Sequence, residues 1–426
     1  MSRVTPGSAA RLQTEVAFSR EYTLSTFLRI SLPLAFVNFL NQAARTILAV
    51  IGPLIALEFG LTAQQLGLLA ASMFAAYGLA QLPVGLALDL FGARRVQTVL
   101  ASVAMVGLLL FAMAGSYEGL ILARALTGIG VSAGLIAMLK ANSQWYRPDQ
   151  VAGVTGWCLV VGALGGVVVT VPVEFALPVL GWRGVYFVLA GLAVLIAAAI
   201  WIRVPDRPPG VAHPAQRSLR EEIGVFGEVF RHPAFIRFVP AVILLTVMNF
   251  TYQGLWAGPW LRDVGGVGDT GRASLLLVYA LALTVGAPVM GMLTSLTQRH
   301  GLPPLAVPWA CAGALIVIQL LLMTGPTDPA VLGVLWFLFP FFTAAGPSGY
   351  AVITQHFPLA YVGRVSTAIN VTMLLSVFLL QSTIGAILDL WPRTATGGWD
   401  AAAYGWALGL TVALQIATGL WAILRR

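Results

Sequence analysis

The sequence predicts an all-α polytopic membrane protein, with twelve transmembrane helices in two six-helix halves. Three observations support this fold class: the composition, the length of the apolar segments and the distribution of the basic residues. Of the 426 residues, 58% are hydrophobic and 9% are charged, and the mean hydropathy is +0.87. Because a soluble domain needs a polar surface, this composition indicates that most of the chain lies in a bilayer.

Twelve apolar segments are long enough to cross a hydrocarbon core of about 30 Å, which takes about 20 helical residues. Six of them precede a polar break in the middle of the chain, and six follow it. In order they are 30–57, 65–88, 96–114, 119–139, 151–173, 185–202, 238–260, 273–296, 302–323, 330–353, 365–388 and 401–424.

These segments divide the chain into four regions. We expect a cytoplasmic N-terminal segment over 1–29, a first half over 30–203, a cytoplasmic linker over 204–233 and a second half over 234–426. The linker also predicts a short amphipathic helix at the membrane interface, because apolar residues recur there at helical spacing. These residues are Leu219, Ile223, Phe226 and Phe230.

The basic residues favour one orientation in the membrane. With an even number of spans both termini lie on the same side, and that side holds eighteen of the 24 basic residues. The positive-inside rule therefore predicts cytoplasmic termini, and we expect the protein in the inner (plasma) membrane of a bacterium. Since the formal charge of +8 follows from this topology, we expect no nucleic acid among the partners.

Arg45 is the most informative residue of the first span, because it lies fifteen residues after Ile30, about 22 Å along a helix and near the midplane. A charged residue at that depth must face protein or water. A guanidinium in such a place suits bidentate binding of a carboxylate or phosphate. The alternative is a structural hydrogen bond to backbone carbonyls. Polar residues predicted to share its cavity are Asn38, Asn41 and Gln42 in the first span and Tyr77 and Gln81 in the second.

The second half supplies further candidates for substrate binding. The seventh span carries a stripe of Asn249, Tyr252, Gln253 and Trp256, and the eleventh carries Asn370 and Gln381. Amides would be unfavourable facing lipid, whereas aromatic residues at this spacing are equally consistent with packing. No carboxylate falls near the middle of a span. A cavity with an arginine and no acid is electropositive, so an organic anion is favoured over a cationic drug.

A charged turn is predicted between the second and third spans. It reads Gly85-Leu-Ala-Leu-Asp89-Leu-Phe-Gly92-Ala-Arg94. Asp89 is expected to face the amino end of the eleventh span near Gly363 when this side is closed, because helix amino ends attract carboxylates. Arg94 would hold the same interface, or would merely fix topology. This turn predicts a gate.

The turn resembles the signature of the major facilitator superfamily, G-x-L-x-D-R-x-G-R-R/K. Gly85, Asp89, Gly92 and Arg94 match it, while Leu90 and Ala93 replace two usually basic positions. The family's fourth-span pattern is similar to the pair Arg124 and Gly128, which joins the gating candidates. The resemblance extends over 30–424, and it implies that family's fold, a substrate site between the halves, alternating access and a working monomer.

Departures from subfamily patterns narrow the expected substrate. The fifth-span run 161–166 lacks the proline typical of the family's drug/proton antiporters. Organophosphate antiporters of the family pair arginines from the first and seventh spans, and only Arg45 is found here. The arginines that its nitrate carriers place in the second and eighth spans are also missing. We therefore expect a small, singly charged organic anion, with proton-coupled efflux of amphiphilic drugs or metabolites as the alternative.

No pattern predicts an enzyme. The four histidines lack metal-ligand spacing with an acid, and no H-E-x-x-H, G-x-S-x-G or P-loop pattern occurs. Cys158 and Cys311 fall in spans of opposite halves, which predicts free thiols. We expect no catalytic residue, no metal and no cofactor. Without an ATP-binding motif, transport would depend on a gradient, through a proton or a counter-ion.

Overall fold

The computed structural model describes residues 24–205, 219–358, 361–395 and 397–425. Every regular element within these ranges is a helix. Most of the predicted N-terminal segment lies outside the described residues. So do positions 206–218 of the linker and the side chains of Leu219 and Ile223, on which the amphipathic pattern partly rests.

The first half contains six spans. The first span consists of two helices that meet at Ile47, the second and third spans share one helical run, and the fifth span continues into the run that forms the sixth. The helices are Leu24–Thr46, Leu48–Glu58, Ala63–Met113, Tyr117–Trp145, Pro148–Val168 and Val171–Arg203.

The second half also contains six spans, after the linker helix Leu219–Arg231. They are Pro233–Asp263, Asp269–Arg299, Ala306–Met323, Pro329–Thr354, Val362–Leu388 and Ala401–Leu424. Eleven helices among the described residues are long and apolar enough to cross a membrane. One of them, Ala63–Met113, makes two crossings. The twelve-span, all-α fold class is confirmed.

Two glycines make the tight turns within long helical runs. Gly92 has φ +81° and ψ 168°, and Gly181 has φ +61° and ψ 172°, a conformation that other residues adopt only with strain. The predicted loop between the second and third spans is therefore a turn centred on one residue. Because the second turn comes at Gly181, the fifth span extends beyond its predicted end, through a break at Val169 and Thr170.

Several helices begin with a side chain that satisfies first-turn amides. Thr62 and Gln65 form a reciprocal capping box at the start of the second span. Ser116, Asp328 and Asp400 accept from backbone amides at the starts of the fourth, tenth and twelfth spans. All four starts lie on the side away from the chain ends.

The ends of each half lie together on one side. Arg29 Nε donates to the carbonyl of Arg203 at 3.0 Å, which joins the first and sixth spans. Arg237 Nε donates to the carbonyl of Ala422 at 2.8 Å, which joins the seventh and twelfth. We call this the inner side, predicted to be cytoplasmic, and the opposite one the outer side.

The first and seventh spans approach closely near the outer side. Pro53 has no amide hydrogen to donate to the Ala49 carbonyl four residues earlier, and this carbonyl faces Gly258. A β-carbon at position 258 would lie 1.8 Å from the Ala49 oxygen. Only a glycine permits this contact between the halves.

The second and eleventh spans close the adjacent part of the outer side. A β-carbon at Gly67 would lie 2.6 Å from the Gln381 carbonyl oxygen, and one at Gly385 would lie 2.4 Å from the Ala63 oxygen. These backbone approaches leave no path between the two helices. We call the contacts made by Gly258, Gly67 and Gly385 the outer seal.

A carboxylate from the eleventh span adds polar bonds to the outer seal. Asp389 Oδ1 accepts from the amide of Ala63 at 2.8 Å, and Oδ2 accepts from that of Gln64 at 2.8 Å. Arg393 donates to the carbonyl of Leu61. The eleventh span and the loop after it thus hold the amino end of the second.

The halves separate toward the inner side. A β-carbon at Gly78 would still lie 3.3 Å from Leu374 Cβ, midway along the second and eleventh spans. Farther inward, a β-carbon at Gly85 or at Gly363 would meet no atom within 4 Å. The space between the halves is therefore closed outside and opens inward.

Candidate substrate-binding site

Arg45 lies between the halves, just inward of the outer seal. It lies in the last turn of the first helix of the first span, which ends at Thr46 before the break at Ile47. Its side chain is 7% exposed, and its Nε is buried without a hydrogen bond. Among the described residues no carboxylate forms an ion pair with it. An arginine so placed carries a positive charge that the described side chains leave uncompensated.

Two aromatic rings cover the Arg45 guanidinium. Its central carbon lies 3.5 Å from the ring centroid of Phe250 in the seventh span and 5.8 Å from that of Phe74 in the second. Such stacking stabilises a cation through the ring quadrupole. Because the rings are apolar, they leave the in-plane N–H groups available as donors.

Polar groups of the first half surround the same place. Tyr77 faces Arg45, Asn41 and Gln81. Asn41 Oδ1 and Gln81 Oε1 are buried without a hydrogen-bond partner. Gln81 Nε2 donates to the carbonyl of Ser132 at 3.0 Å, which fixes that side chain. Two buried acceptors without donors thus lie around Tyr77, which itself faces the cation.

Asn38 and Gln42 lie on the same span as Arg45 with different surroundings. Asn38 is buried, donates to the sulfur of Met138 at 3.8 Å, and borders Gly162 of the fifth span. Gln42 is half-buried. The structure therefore places Asn38 against the fourth and fifth spans, within its own half.

The four predicted amide residues of the second half have different surroundings. Gln253 is buried with an unpartnered Oε1 and lies near Gly166 of the fifth span, so it contacts the first half. Asn249 Oδ1 accepts from Tyr279 at 3.1 Å within its own half. Gln381 donates to the Thr251 carbonyl at 3.4 Å and its backbone belongs to the outer seal. Asn370 is half-buried on the inner part of the eleventh span.

Tyr252 and Trp256 make packing contacts. Tyr252 lies against Trp336 and Phe339 of the tenth span, with centroid distances of 6.2 and 5.1 Å. Trp256 is fully buried next to Trp399, at 6.2 Å. The π-helical turn Tyr252–Trp256 adds a residue to one turn, so a stripe drawn at ordinary helical spacing changes face there.

Arg124 and Gly128 pack the fourth span inside the first half. Arg124 is 1% exposed and donates to the carbonyl of Ala44 at 2.6 Å, beside the break in the first span. A β-carbon at Gly128 would lie 2.3 Å from the Met73 carbonyl oxygen. These contacts do not bridge the halves.

The charged turn on the inner side is held within its own half. Lys140 of the fourth span forms an ion pair with Asp89 and donates to the carbonyl of Leu88 at 2.9 Å. The guanidinium of Arg94 lies 4.6 Å from the Trp201 ring centroid. Asp89 is 59% exposed. With the inner side open, the carboxylate is bound to the fourth span instead of the eleventh.

Sequence reasoning missed four residues at this site and its gates: Phe250, Gly258, Asp389 and Lys140. An aromatic or a glycine in an apolar span gives no signal of its own. Asp389 lies at the outer end of its span, where a carboxylate is not unusual, and its bond to the second span depends on how the halves pack. Lys140 is the one lysine of the chain, which is the signal that could have found it.

The described residues can be compared with the expectations of no metal site and of two free thiols. They contain no cluster of three or more histidine, cysteine, aspartate or glutamate side chains that could hold a metal ion. Cys158 and Cys311 are free and buried, which confirms the prediction of free thiols.

A sequence model of the Major Facilitator Superfamily matches residues 34–380. Among solved structures, a bacterial homologue of the human lysosomal transporter Spinster, inward-facing and unoccupied, superposes with a TM-score of 0.76 at 17% identity, over 95% of this chain and 98% of that one. The nucleoside transporter NupG gives 0.73 at 14%, over 92% and 98%. These similarities show the fold.

Curated relatives match part of their length. The hexuronate transporter of Escherichia coli is 27% identical over 174 residues, which are 41% of this chain and 40% of the relative. A probable sulfoacetate transporter of Cupriavidus necator is 26% identical over 275 residues, 61% and 63% of the two chains. A probable nitrate/nitrite antiporter of Thermus thermophilus is 27% identical over 271 residues, 59% and 58%.

Proposed function

Because the chain belongs to the major facilitator superfamily, which is not enzymatic, we propose that it carries a small, singly charged organic anion by alternating access of a site at Arg45. The observation that supports this most is the uncompensated guanidinium between the halves. Burying a charge is unfavourable unless it is paired. An anion that binds there would supply the missing partner.

The neighbouring amides favour an anion that also carries hydroxyl groups. The oxygens of Asn41, Gln81 and Gln253 are buried without donors. A hydroxylated carboxylate would donate to them while its carboxylate accepts from Arg45, so the buried polar atoms would be satisfied together. The hexuronate, sulfoacetate and nitrate/nitrite named in the relatives are anions, which supports the charge class.

Alternating access requires two gates. The outer seal and Asp389 would form one, and Asp89 with the inner end of the eleventh span would form the other. A proton or counter-ion gradient would drive the cycle, in a bacterial inner membrane with the inner side cytoplasmic. We propose a monomer as the working unit, since the site is bounded by the two halves of one chain.

The unfolding temperature of the purified protein tests the proposal. It is measured with small carboxylates, hydroxy acids, sugar acids, phosphates, amino acids and cationic amphiphiles, and then with Arg45→Ala. A ligand that binds the native state alone, at 100 times its Kd, stabilises it by about 2.7 kcal/mol. We expect one anion class to raise the temperature and Arg45→Ala to remove the effect.

The matched control is Arg299→Ala, which removes a positive charge from an exposed helix end. It should respond to the anion as the unmodified protein does. A shift caused by cationic amphiphiles alone, unchanged in Arg45→Ala, would contradict the proposal and support efflux of amphiphilic compounds.

A further inference from the structure

We infer that Phe250 selects the charge of the bound anion, because it places an aromatic ring opposite Arg45 where a second cation would be needed for a doubly charged substrate. This inference rests on the proposed function. It assigns Phe250 as a specificity-determining residue and the preferred substrate as a monocarboxylate.

Phe250 is a residue of the second half whose ring lies over the Arg45 guanidinium. Its ring centroid lies 3.5 Å from the guanidinium carbon, so the ring stacks on the cation. Phe74 lies behind, with its ring 6.0 Å from that of Phe250 and inclined by 30°. Phe250 is half-buried, whereas Phe74 is fully buried. Phe250 therefore borders the space between the halves, and Phe74 supports it.

The stacked ring determines how an anion reaches Arg45. The face of an aromatic ring carries negative electrostatic potential, so it attracts the guanidinium and repels an anion. The N–H groups lie in the guanidinium plane, at the edge that the ring does not cover. One carboxylate therefore binds at that edge, in a bidentate geometry.

The arginines around this space can neutralise one negative group of a substrate. Arg124 also has no carboxylate partner among the described residues, but it is 1% exposed and donates to the Ala44 carbonyl inside the first half. Arg262 and Arg272 lie near the outer ends of the seventh and eighth spans, in ion pairs with Asp263 and Asp269. Of these four arginines, Arg45 is the one that has no carboxylate partner and lies against the other half, at Phe250. A second carboxylate would be desolvated without a partner, which is strongly unfavourable.

The test uses two anions of the same carbon skeleton. Galactonate has one carboxylate, and galactarate has a second one in place of the terminal hydroxymethyl group, so both are open chains that differ in charge. Their Kd values are measured by titration calorimetry near neutral pH, where both acids are fully ionised. The unmodified protein should bind galactonate at least about tenfold more tightly, a difference of about 1.4 kcal/mol.

Two substitutions at position 250 separate charge from stacking. Phe250→Lys places a second cation opposite Arg45 and should shift the ratio of the two Kd values toward galactarate by at least about tenfold. Phe250→Leu removes the ring without adding charge. It should weaken galactonate binding about threefold or more, through the lost cation–π contact, and leave galactarate disfavoured. Elution as a single species establishes that each variant is folded.

The outcomes distinguish this inference from the proposed function. Equal binding of both anions by the unmodified protein, or of neither, would overturn the inference without any variant. An unchanged ratio in folded Phe250→Lys, with binding abolished by Arg45→Ala, would overturn the role of Phe250 alone. Undiminished galactonate binding in Arg45→Ala would overturn the proposed function itself.

Discussion

The second and eleventh spans run antiparallel. They are bonded to each other at the outer end and apart at the inner end. At the outer end, Asp389 of the eleventh span accepts from the first two amides of the second. At the inner end, Asp89 of the second span is paired with Lys140 of its own half. A β-carbon at Gly363, at the facing end of the eleventh span, would meet no atom within 4 Å.

This difference shows how one pair of helices can serve both gates. Each helix has a carboxylate near its carboxyl end. Asp389 lies at the amino end of the second span, and we expect Asp89 to reach the amino end of the eleventh when the inner side closes. A carboxylate at a helix amino end is worth about 0.3–1 kcal/mol, and up to about 2 kcal/mol when partly buried. We expect the outer bond to break and the inner bond to form as the halves rock, so their free energies oppose each other.

The largest expected effect comes from the outer seal. In Gly258→Val, a β-carbon would collide with the Ala49 carbonyl, a backbone atom that cannot move aside easily. Overpacking costs about 1–3 kcal/mol, and we expect the upper value, or about a hundredfold shift away from the closed outer side. The measurement is the spin-label distance between Glu118→Cys and Thr327→Cys, with Cys158 and Cys311 replaced by alanine.

The two labels lie on the outer side of different halves, one in the first turn of the fourth span and one in the loop before the tenth. Their separation should therefore increase and transport should fall in Gly258→Val. Gly191→Val is the matched control, because a β-carbon there meets no atom within 4 Å. An unchanged distance in Gly258→Val would show that the outer seal does not hold the halves together.

Asp389→Asn should have the next largest effect. The amide keeps one acceptor oxygen but loses the charge that faces the amino end of the second span. We expect the inward-open state to lose about 1 kcal/mol, a shift of about fivefold in the same distance distribution.

Asp328→Asn serves as the control for Asp389→Asn. Asp328 also accepts from two amides, those of Ala330 and Val331 at 2.9 and 3.0 Å, but within one half. It should lower the unfolding temperature without changing the distances. Equal distance distributions for the two variants would mean that the Asp389 bond does not contribute to the state of the gate.

Lys140→Gln should have the smallest effect. The pair is partly exposed, with 24% of the Lys140 side chain and 59% of the Asp89 side chain accessible, and such pairs contribute about 0–1 kcal/mol. Releasing Asp89 should favour closure of the inner side by at most about fivefold. Asp89→Asn should insert normally and transport more slowly.

A double-mutant cycle gives the control for the inner end. If Lys140 acts through Asp89, Lys140→Gln should have no effect on the label distances in the Asp89→Asn background. The same shift in both backgrounds would assign the role of Lys140 to some other contact.

The sequence is most informative where the chemistry of a residue differs from that of the segment around it. Arg45 is recognisable because a charge in an apolar span needs a protein or aqueous partner, and Gly92 because its turn carries a charged motif. The span count follows from hydrophobic length. These features depend on local sequence, so they can be predicted without knowing how the halves pack.

Other features depend on packing between the halves. Phe250 looks like any aromatic residue in an apolar span, and its role comes from the first half's arginine lying against it. The stripe drawn through Tyr252 and Trp256 assumed a uniform helical period, whereas a π-helical turn shifts the phase there. The roles of all the predicted binding residues, Arg45 included, therefore stay predictions.

Counterflow is the most direct test of the central claim, that an anion crosses the membrane bound to Arg45. Proteoliposomes are loaded with the anion that raises the unfolding temperature most, and entry of the same labelled anion is measured for the unmodified protein, Arg45→Gln and Arg299→Ala. We predict rapid entry for the first and third and none above empty liposomes for Arg45→Gln. Equal entry for all three would contradict the account.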